Sequence, residues 1–205
     1  MKTEIIKIKG DWEEVVNDCR STVNKPPLGH EPSDQFKESL LISEHSPIRD
    51  IIIKWRWAGI KSWIATHWVR HKWECFVRTQ RSDRTGIPRD DLPQGAEVEF
   101  TGEANVQALI DTMRKRLCYQ AAPETRQYAE SLKAEIRQRD PHIAKVLVPN
   151  CVYRGGCPEQ KSCREWHNFL IWVNSRHIDI VRNMESIALR YDLYQQYLEE
   201  RKQQK

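Results

Sequence analysis

Ile51-Ile52-Ile53-Lys54-Trp55-Arg56-Trp57-Ala58-Gly59-Ile60 opens the stretch that decides the fold, and Arg70-His71-Lys72 closes it. Ile51, Ile53, Trp55 and Trp57 alternate with Ile52, Lys54 and Arg56, the two-residue period of a strand. Gly59 is expected to break that strand. Ile60, Trp63, Ile64, His67 and Trp68 then recur at helical spacing, which predicts a helix of about three turns. That helix delivers Arg70 and His71 at its C-terminal end. A helix C-terminus carries partial negative charge and tolerates cations. Any phosphate held there must be held by side chains. Five of the eight tryptophans fall between Trp55 and Trp73. So dense an aromatic patch is more often core or subunit interface than a ring-binding site.

The basic run continues through Gln80-Arg81-Ser82-Asp83-Arg84. Arg70, Arg78, Arg81 and Arg84 sit within fifteen residues of one another, at the edge of an apolar segment. A guanidinium offers a flat fork of donors that matches phosphate oxygens in pairs. The competing reading is a solvated basic loop, the usual fate of a charge run.

Outward from this centre, residues 3–9 alternate as an edge strand would. Residues 20–36 carry Pro26, Pro27, Gly29 and Pro32 and read as a loop. Gln35 to Ser43 predicts a short helix, ended before Pro47. Glu97 to Thr101 predicts a strand, and 103–118 and 123–139 predict helices, the second with Pro123 in its first turn. Asp140-Pro141 stops it. Ala144 to Pro149 is an apolar connection and 150–158 is irregular. Residues 163–175 and 177–200 are expected to be helical, with a frayed polar tail at about 200–205. The expected class is α+β, one domain over 1–205, with a mixed or antiparallel sheet and a helix-rich second half.

At 205 residues the chain is long enough for a sizeable core. Its net charge of +4 suits nucleotide substrates and falls short of a dedicated polyanion binder. The N-terminal residues lack a long apolar segment, and no run is long enough to cross a bilayer, so a cytoplasmic protein is expected. Six cysteines do not make a disulfide scaffold at this length.

Taken in order, these motifs resemble the flavin-dependent thymidylate synthases, the ThyX type, whose signature reads R-H-R-x-x-S-x-N-E-x-S-x-R-Y. Arg70-His71-Lys72 resembles its opening, and Gln80 to Arg84 resembles E-x-S-x-R displaced by two extra residues. Ser46-Pro47-Ile48 resembles the family's H-x-[ST]-P-F-E-H segment. Ile143 to Pro149 resembles its A-R-x-x-L-P stretch. Arg164, Asn168 and Arg176 fall where the family has a late Arg, Asn and Arg. The resemblance covers roughly residues 35–190.

The resemblance implies an α+β ThyX-like fold and a homotetramer with active sites at subunit junctions. It implies FAD held by Ser46, Arg70, His71, Lys72, Arg164 and Asn168. It implies a deoxyuridylate site built from His67, Gln80, Arg81, Ser82, Arg84, Lys145 and Arg176, with Ser82 and Arg176 closest to the chemistry. The implied reaction is methylation of deoxyuridylate to thymidylate, with methylenetetrahydrofolate and NADPH as co-substrates. Such chemistry asks the protein for positioning and electrostatics, not for a nucleophile.

The chain departs from the signature between its two basic halves. Cys75 stands at the first serine, Gln80 replaces the glutamate, Thr85 replaces the tyrosine, and Arg49-Asp50 ends the upstream segment. These changes leave open a flavoenzyme that makes another modified pyrimidine, for instance a hydroxymethylated one. Neighbouring cations would activate a Cys75 thiolate, whereas a buried thiol is a small inert filler.

Cys151, Cys157 and Cys163 recur every six residues, followed by His167. Thiolates and an imidazole at such spacing could hold tetrahedral zinc, although zinc pairs usually lie closer in sequence. Packing around a Gly-Gly turn is the alternative. An iron–sulfur cluster normally takes four cysteines, and only three are near in sequence. With the basic loop, this cluster also leaves open a non-enzymatic, zinc-stabilised or nucleic-acid-binding module. The moderate charge weighs against nucleic acid.

Overall fold

The computed structural model describes residues 2–179 and 184–203. Its sheet comprises β1 (Lys2–Lys9), β2 (Ile52–Lys61), β3 (Glu74–Val77) and β4 (Glu97–Asn105), in the order β1-β2-β4-β3. Every neighbouring pair is antiparallel. Ten helices accompany it among the described residues. These are α1 (Trp12–Ser21), α2 (Asp34–Ile42), α3 (Ser62–Trp68), α4 (Ser82–Thr85), α5 (Val106–Arg116), α6 (Pro123–Arg139), α7 (Pro141–Val146), α8 (Asn150–Arg154), α9 (Glu165–Ser175) and α10 (Ile187–Gln203). The α+β class, the edge position of β1 and the helix-rich second half agree with the sequence reading. None of the helices is long and apolar enough to cross a membrane.

Gly59 does not end β2. Trp57 pairs with Phe100 and Ile60 with Val98, so β2 carries one residue more than β4 between these pairs. That is a β-bulge, with Gly59 at φ +70. The extra residue switches the parity and returns Ile60 to the face that buries Ile53, Trp55 and Trp57. A bulge and a change to helical period look alike in sequence, which is why the helix was expected from Ile60 and starts at Ser62.

The core forms where the buried face of β2 meets α3 and α6. Along α6, Thr125, Tyr128, Ala129, Leu132 and Ile136 are buried at helical spacing. Trp57 lies at its centre, with ring centroids of Trp68 at 4.7 Å, Phe100 at 5.2 Å and Tyr128 at 5.3 Å. The tryptophan patch is therefore core, with Trp55, Trp57 and Trp68 fully buried.

Several boundaries differ from expectation for local reasons. No element is expected over residues 12–21, yet Asp11 caps α1 by accepting from Glu14 N at 2.9 Å. β4 runs on to Asn105, whose side chain caps α5 by accepting from Ala108 N at 2.9 Å. Asp140-Pro141 ends α6 and also starts α7, because the Asp140 carboxylate accepts from Ile143 N at 2.9 Å. Part of the irregular stretch is α8, closed by Gly155 in the left-handed region at φ +70. Of the helix expected over 177–200, residues 180–183 lie outside the described residues, and α10 begins at Ile187.

Of the polar tail expected at about 200–205, the residues as far as Gln203 continue α10, and 204 and 205 lie outside the described residues. Arg201 Nη1 reaches the buried carboxylate of Glu165 at 3.0 Å, which draws α10 onto α9.

Lys133 on α6 is buried, although lysine is a residue of solvated faces, and it donates to Leu147 O at 2.7 Å. Burial, reinforced by Arg137 and Lys202, pushes its pKa down to about 7. The unfolded chain keeps that proton up to the ordinary lysine range. Between pH 7 and about 10 the unfolded state therefore binds more protons, and stability is expected to rise with pH. Urea denaturation across that range checks this; Lys133→Met should flatten the rise, and an unchanged slope would contradict the assignment.

Candidate functional site

α3 and the segment from β3 into α4 face each other across a cleft of about 260 Å³. Thr66 and Val69 line one wall, and Arg78, Gln80, Arg81 and Arg89 line the other. β3, which the sequence reading did not assign, sets this wall by pairing with β4 from Glu74 to Val77. Arg78 Nη2 donates to Glu97 O at 3.1 Å. Ser82 Oγ accepts from Arg89 N at 2.8 Å, which fastens the loop after α4 back onto its first turn.

Arg81 holds Asp83 in bidentate fashion, Nε to Oδ1 at 3.0 Å and Nη2 to Oδ2 at 2.8 Å. Arg84 Nε stands 3.8 Å from the same Oδ2. The two arginine side chains remain 64% and 69% exposed. An exposed carboxylate thus occupies the focus of two guanidiniums, where an external anion would compete for the same donors. This is the local form of the basic cluster read from the sequence.

The other half of the cluster divides by environment. Arg70 and Lys72 are exposed and have no acidic partner among the described residues. His71 turns inward. Its ring lies 5.2 Å from Trp73 and 6.1 Å from Trp68, and its Nε2 accepts from Arg116 Nε at 2.8 Å. Arg116 only donates, so the His71 proton resides on Nδ1. Burial first, then Arg116 and Lys115, pushes His71 down to about 4. It is neutral at physiological pH and cannot serve as a third cation. His67 also faces inward, 2.8 Å from the buried Thr125 Oγ1, and burial with Arg116 and Arg70 lowers its pKa.

Arg116 escapes the sequence reading. It donates to His67 O at 2.6 Å as well as to His71, and so joins α5 to α3. The only sequence signal was a cationic end to α5, Arg114-Lys115-Arg116, which reads equally as a complement to the helix dipole. His71 is expected to titrate near pH 4 when followed by NMR, and Arg116→Met to move it upward toward the ordinary range. An unshifted titration in the variant would show that Arg116 does not hold the ring neutral.

The remaining expected site residues stand on separate elements with local partners. Ser46 is exposed at the start of the 3-10 turn Ser46–Asp50. Lys145 on α7 lies between Asp192 at 2.8 Å and Glu38 at 3.0 Å, and these pairings hold its pKa up against desolvation. Arg164 precedes α9 in the left-handed region, φ +66, and Asn168 is exposed one turn on. Arg176 closes α9, pairs with Glu200 and lies 5.6 Å from the Trp172 ring. His167 is exposed on α9. Cys75 is half-buried on β3, and burial and Glu74 push its thiol up, opposite to what an activated nucleophile requires.

A family described as thymidylate synthase complementing protein, Thy1, matches residues 86–142. That segment carries β4, α5 and α6, and it includes Arg116. A flavin-dependent thymidylate synthase from Clostridium tetani (strain Massachusetts / E88) is 31% identical over 68 residues, 33% of this chain. The match spans about a quarter, 27%, of that relative's length. Among solved structures, ThyX from Helicobacter pylori, complexed with FAD and dUMP, superposes with a TM-score of 0.60 at 10% identity, covering 72% of this chain and 100% of that one. The UMP/dUMP methylase PolB from Streptomyces cacaoi, bound with 5-Br dUMP, superposes with a TM-score of 0.58 at 14% identity, covering 71% and 93%. The chain is similar to ThyX in its fold, and the segment that carries β4, α5 and α6 matches the Thy1 family.

Proposed function

We propose that the chain is a flavoenzyme that methylates deoxyuridylate to thymidylate, taking the carbon from methylenetetrahydrofolate and its electrons from NADPH. The observation that carries this reading is the division of the basic cluster on a ThyX-like fold. Arg81 and Arg84 meet at a point that Asp83 fills, while Arg70 and Lys72 have no acidic partner among the described residues. Arg70 and Lys72 fit the pyrophosphate of FAD by charge, and neutral His71 offers its Nδ1 proton without adding charge. Bound FAD would supply the reducing equivalents.

The chain's own residues would do the rest. Arg81 and Arg84 would exchange Asp83 for the nucleotide phosphate, with Ser82 beside them. Lys145 and Arg176, each matched by carboxylates in the free chain, would meet the pyrimidine by giving up those partners. Ser46, Arg164 and Asn168 are the further flavin contacts of this reading, and His67 and Gln80 the further nucleotide contacts. A homotetramer would close the open cleft from a second chain. The exposed apolar side chains of Val69 and Val77, which line that cleft, are consistent with such cover.

A second reading is favoured by Gln80, which cannot carry the charge of the glutamate it replaces, and by the likeness to PolB: the product would be another C5-modified pyrimidine nucleotide. Supplying deoxyuridylate or uridylate with methylenetetrahydrofolate and NADPH, and weighing the product by mass spectrometry, separates the two. Thymidylate as sole product supports the first. A chain that takes up no FAD and binds no pyrimidine nucleotide refutes both.

A further inference from the structure

Cys151, Cys157, Cys163 and His167 do not gather into the zinc site that their spacing suggests: among the described residues no three His, Cys, Asp or Glu side chains are placed to hold a metal ion. A cavity elsewhere carries more. It lies between α6 and α10, apart from the cleft beside α3, and encloses about 520 Å³, a volume within the range of small-molecule pockets. None of the residues assigned above to flavin or nucleotide lines it. Arg137 bridges the two helices, donating to Gln195 and standing 3.7 Å from Glu199. Leu117, Leu147 and Leu198 supply apolar walls, and Tyr119 and Tyr194 supply rings.

The charge around this cavity is unbalanced. Five cations line it, Arg126, Lys133, Arg137, Arg201 and Lys202, against one carboxylate, Glu130. Three of the cations are matched: Arg126 by Glu130 at 3.2 Å, Arg137 by Glu199, and Arg201 by the buried Glu165 at 3.0 Å. Lys133 and Lys202 have no acidic partner among the described residues. Lys202 is exposed and solvated. Lys133 is buried, and its one hydrogen bond among the described residues goes to Leu147 O. An ammonium has three donors, so a charged Lys133 keeps two N–H groups for an occupant of the cavity. A buried cation without a counter-ion is costly, and Lys133 accordingly holds its proton loosely, at a pKa of about 7.

We propose that this cavity binds a small organic dianion, an apolar body carrying a phosphate monoester or two carboxylates, with Lys133 and Lys202 as its counter-ions. Two uncompensated cations call for two negative charges, and the leucines and tyrosines call for an apolar body. The inference stands apart from the proposed activity. Binding would be linked to a proton, because an anion beside Lys133 favours its charged form and raises its pKa. Of the other ionisable groups lining the cavity, Arg126 and Arg137 on α6 and Arg201 on α10 stay charged. Tyr119, beyond α5, and Tyr194 on α10 are held neutral because burial raises both. Glu130 on α6 and Lys202 on α10 complete the set, and the segment of Leu147 and Pro149 brings no ionisable side chain to the cavity.

The test titrates the full-length chain by calorimetry with naphthyl phosphate, naphthalene dicarboxylate, inorganic phosphate and neutral naphthol. At least one of the two aromatic dianions should bind, one per chain, about tenfold or more tighter than either inorganic phosphate or naphthol. Which of the two binds tighter identifies the headgroup. Its Kd should rise by up to roughly tenfold per pH unit above pH 7, and buffers of different ionisation enthalpy should report uptake of about one proton per chain near pH 8. The phosphate ester is itself fully ionised there, since its second pKa is about 6. Lys133→Met should weaken binding about tenfold or more and abolish the proton uptake. Lys202→Gln should weaken binding and keep the uptake. The proposal is overturned if neither dianion binds better than naphthol, or if Lys133→Met binds like the wild type. Should Lys133→Met fail to fold, by circular dichroism, an unchanged Kd in Lys202→Gln overturns it alone.

Discussion

Trp57→Ala is expected to destabilise the chain by about 3–5 kcal/mol, the range for removing a large aromatic side chain from a core. Trp57 is fully buried between four rings, with Trp55 at 5.6 Å in addition to Trp68, Phe100 and Tyr128. Its loss leaves a void that β2, α3 and α6 would have to close together. At about 2–4 °C per kcal/mol for a domain of this size, the melting midpoint should fall by roughly 6–20 °C. Trp57→Phe should behave differently. The Trp57 Nε1 is buried without a hydrogen-bond partner among the described residues, as are those of Trp55 and Trp68. An orphaned buried donor costs about 1–3 kcal/mol. Phenylalanine removes that donor and keeps most of the ring contact, so its net cost should stay below about 2 kcal/mol. Calorimetry on both variants decides; a phenylalanine variant as unstable as the alanine one would mean that the indole N–H is not a liability.

The tryptophans also explain a glycine. Gly102 on β4 lies opposite Trp55 in the register, and a Cβ there would stand 2.3 Å from Trp55 Cζ2. The flat face of β4 that accepts the indole therefore depends on having no side chain at 102. A sequence alone shows Gly102 inside a strand pattern and gives no hint of which ring lies over it.

Strongly periodic elements were legible in the sequence. α6 matches its expected bounds from Pro123 to Arg139, because a first-turn proline and a following Asp-Pro mark both ends. What stayed hidden was the sort of geometry that periodicity does not encode. A bulge at Gly59 mimics a change of period. β3 is four residues long, with Cys75 half-buried and its neighbours exposed, so it shows little alternation. α1 is the exception: Trp12, Val15 and Val16 fall at helical spacing behind the Asp11 cap, in a segment for which no element was expected.

For the candidate site, residue types were legible and their electrostatic states were not. Arg70, His71 and Lys72 read as one run of cations. In the fold, His71 turns toward Arg116 and loses its charge, while its two neighbours face solvent. Lys145 and Arg176 read as free cations and are matched by carboxylates from elements distant in sequence. Asp83 is the reverse case. In sequence it is a neutralising residue inside a basic loop; in the structure it holds the place between Arg81 and Arg84.

That placement sets opposite expectations for Arg84 and Asp83. Arg84→Ala removes one charge-assisted contact to the proposed nucleotide phosphate, worth about 1.5–3 kcal/mol. Deoxyuridylate should bind roughly 10- to 150-fold more weakly. FAD should be retained, because Arg70 and Lys72 are untouched. Asp83→Asn should act in the other sense. The exposed Arg81–Asp83 pair is worth at most about 1 kcal/mol, and the phosphate has to displace it. Removing the competing charge while keeping the side chain's shape should tighten deoxyuridylate binding by up to about fivefold, with a weaker dependence on ionic strength than a new surface charge would give. Titration calorimetry on the FAD-loaded chain measures both variants. Weaker binding in Asp83→Asn would mean that the carboxylate orients the arginines more than it competes for them. Unchanged binding in Arg84→Ala would place the phosphate elsewhere.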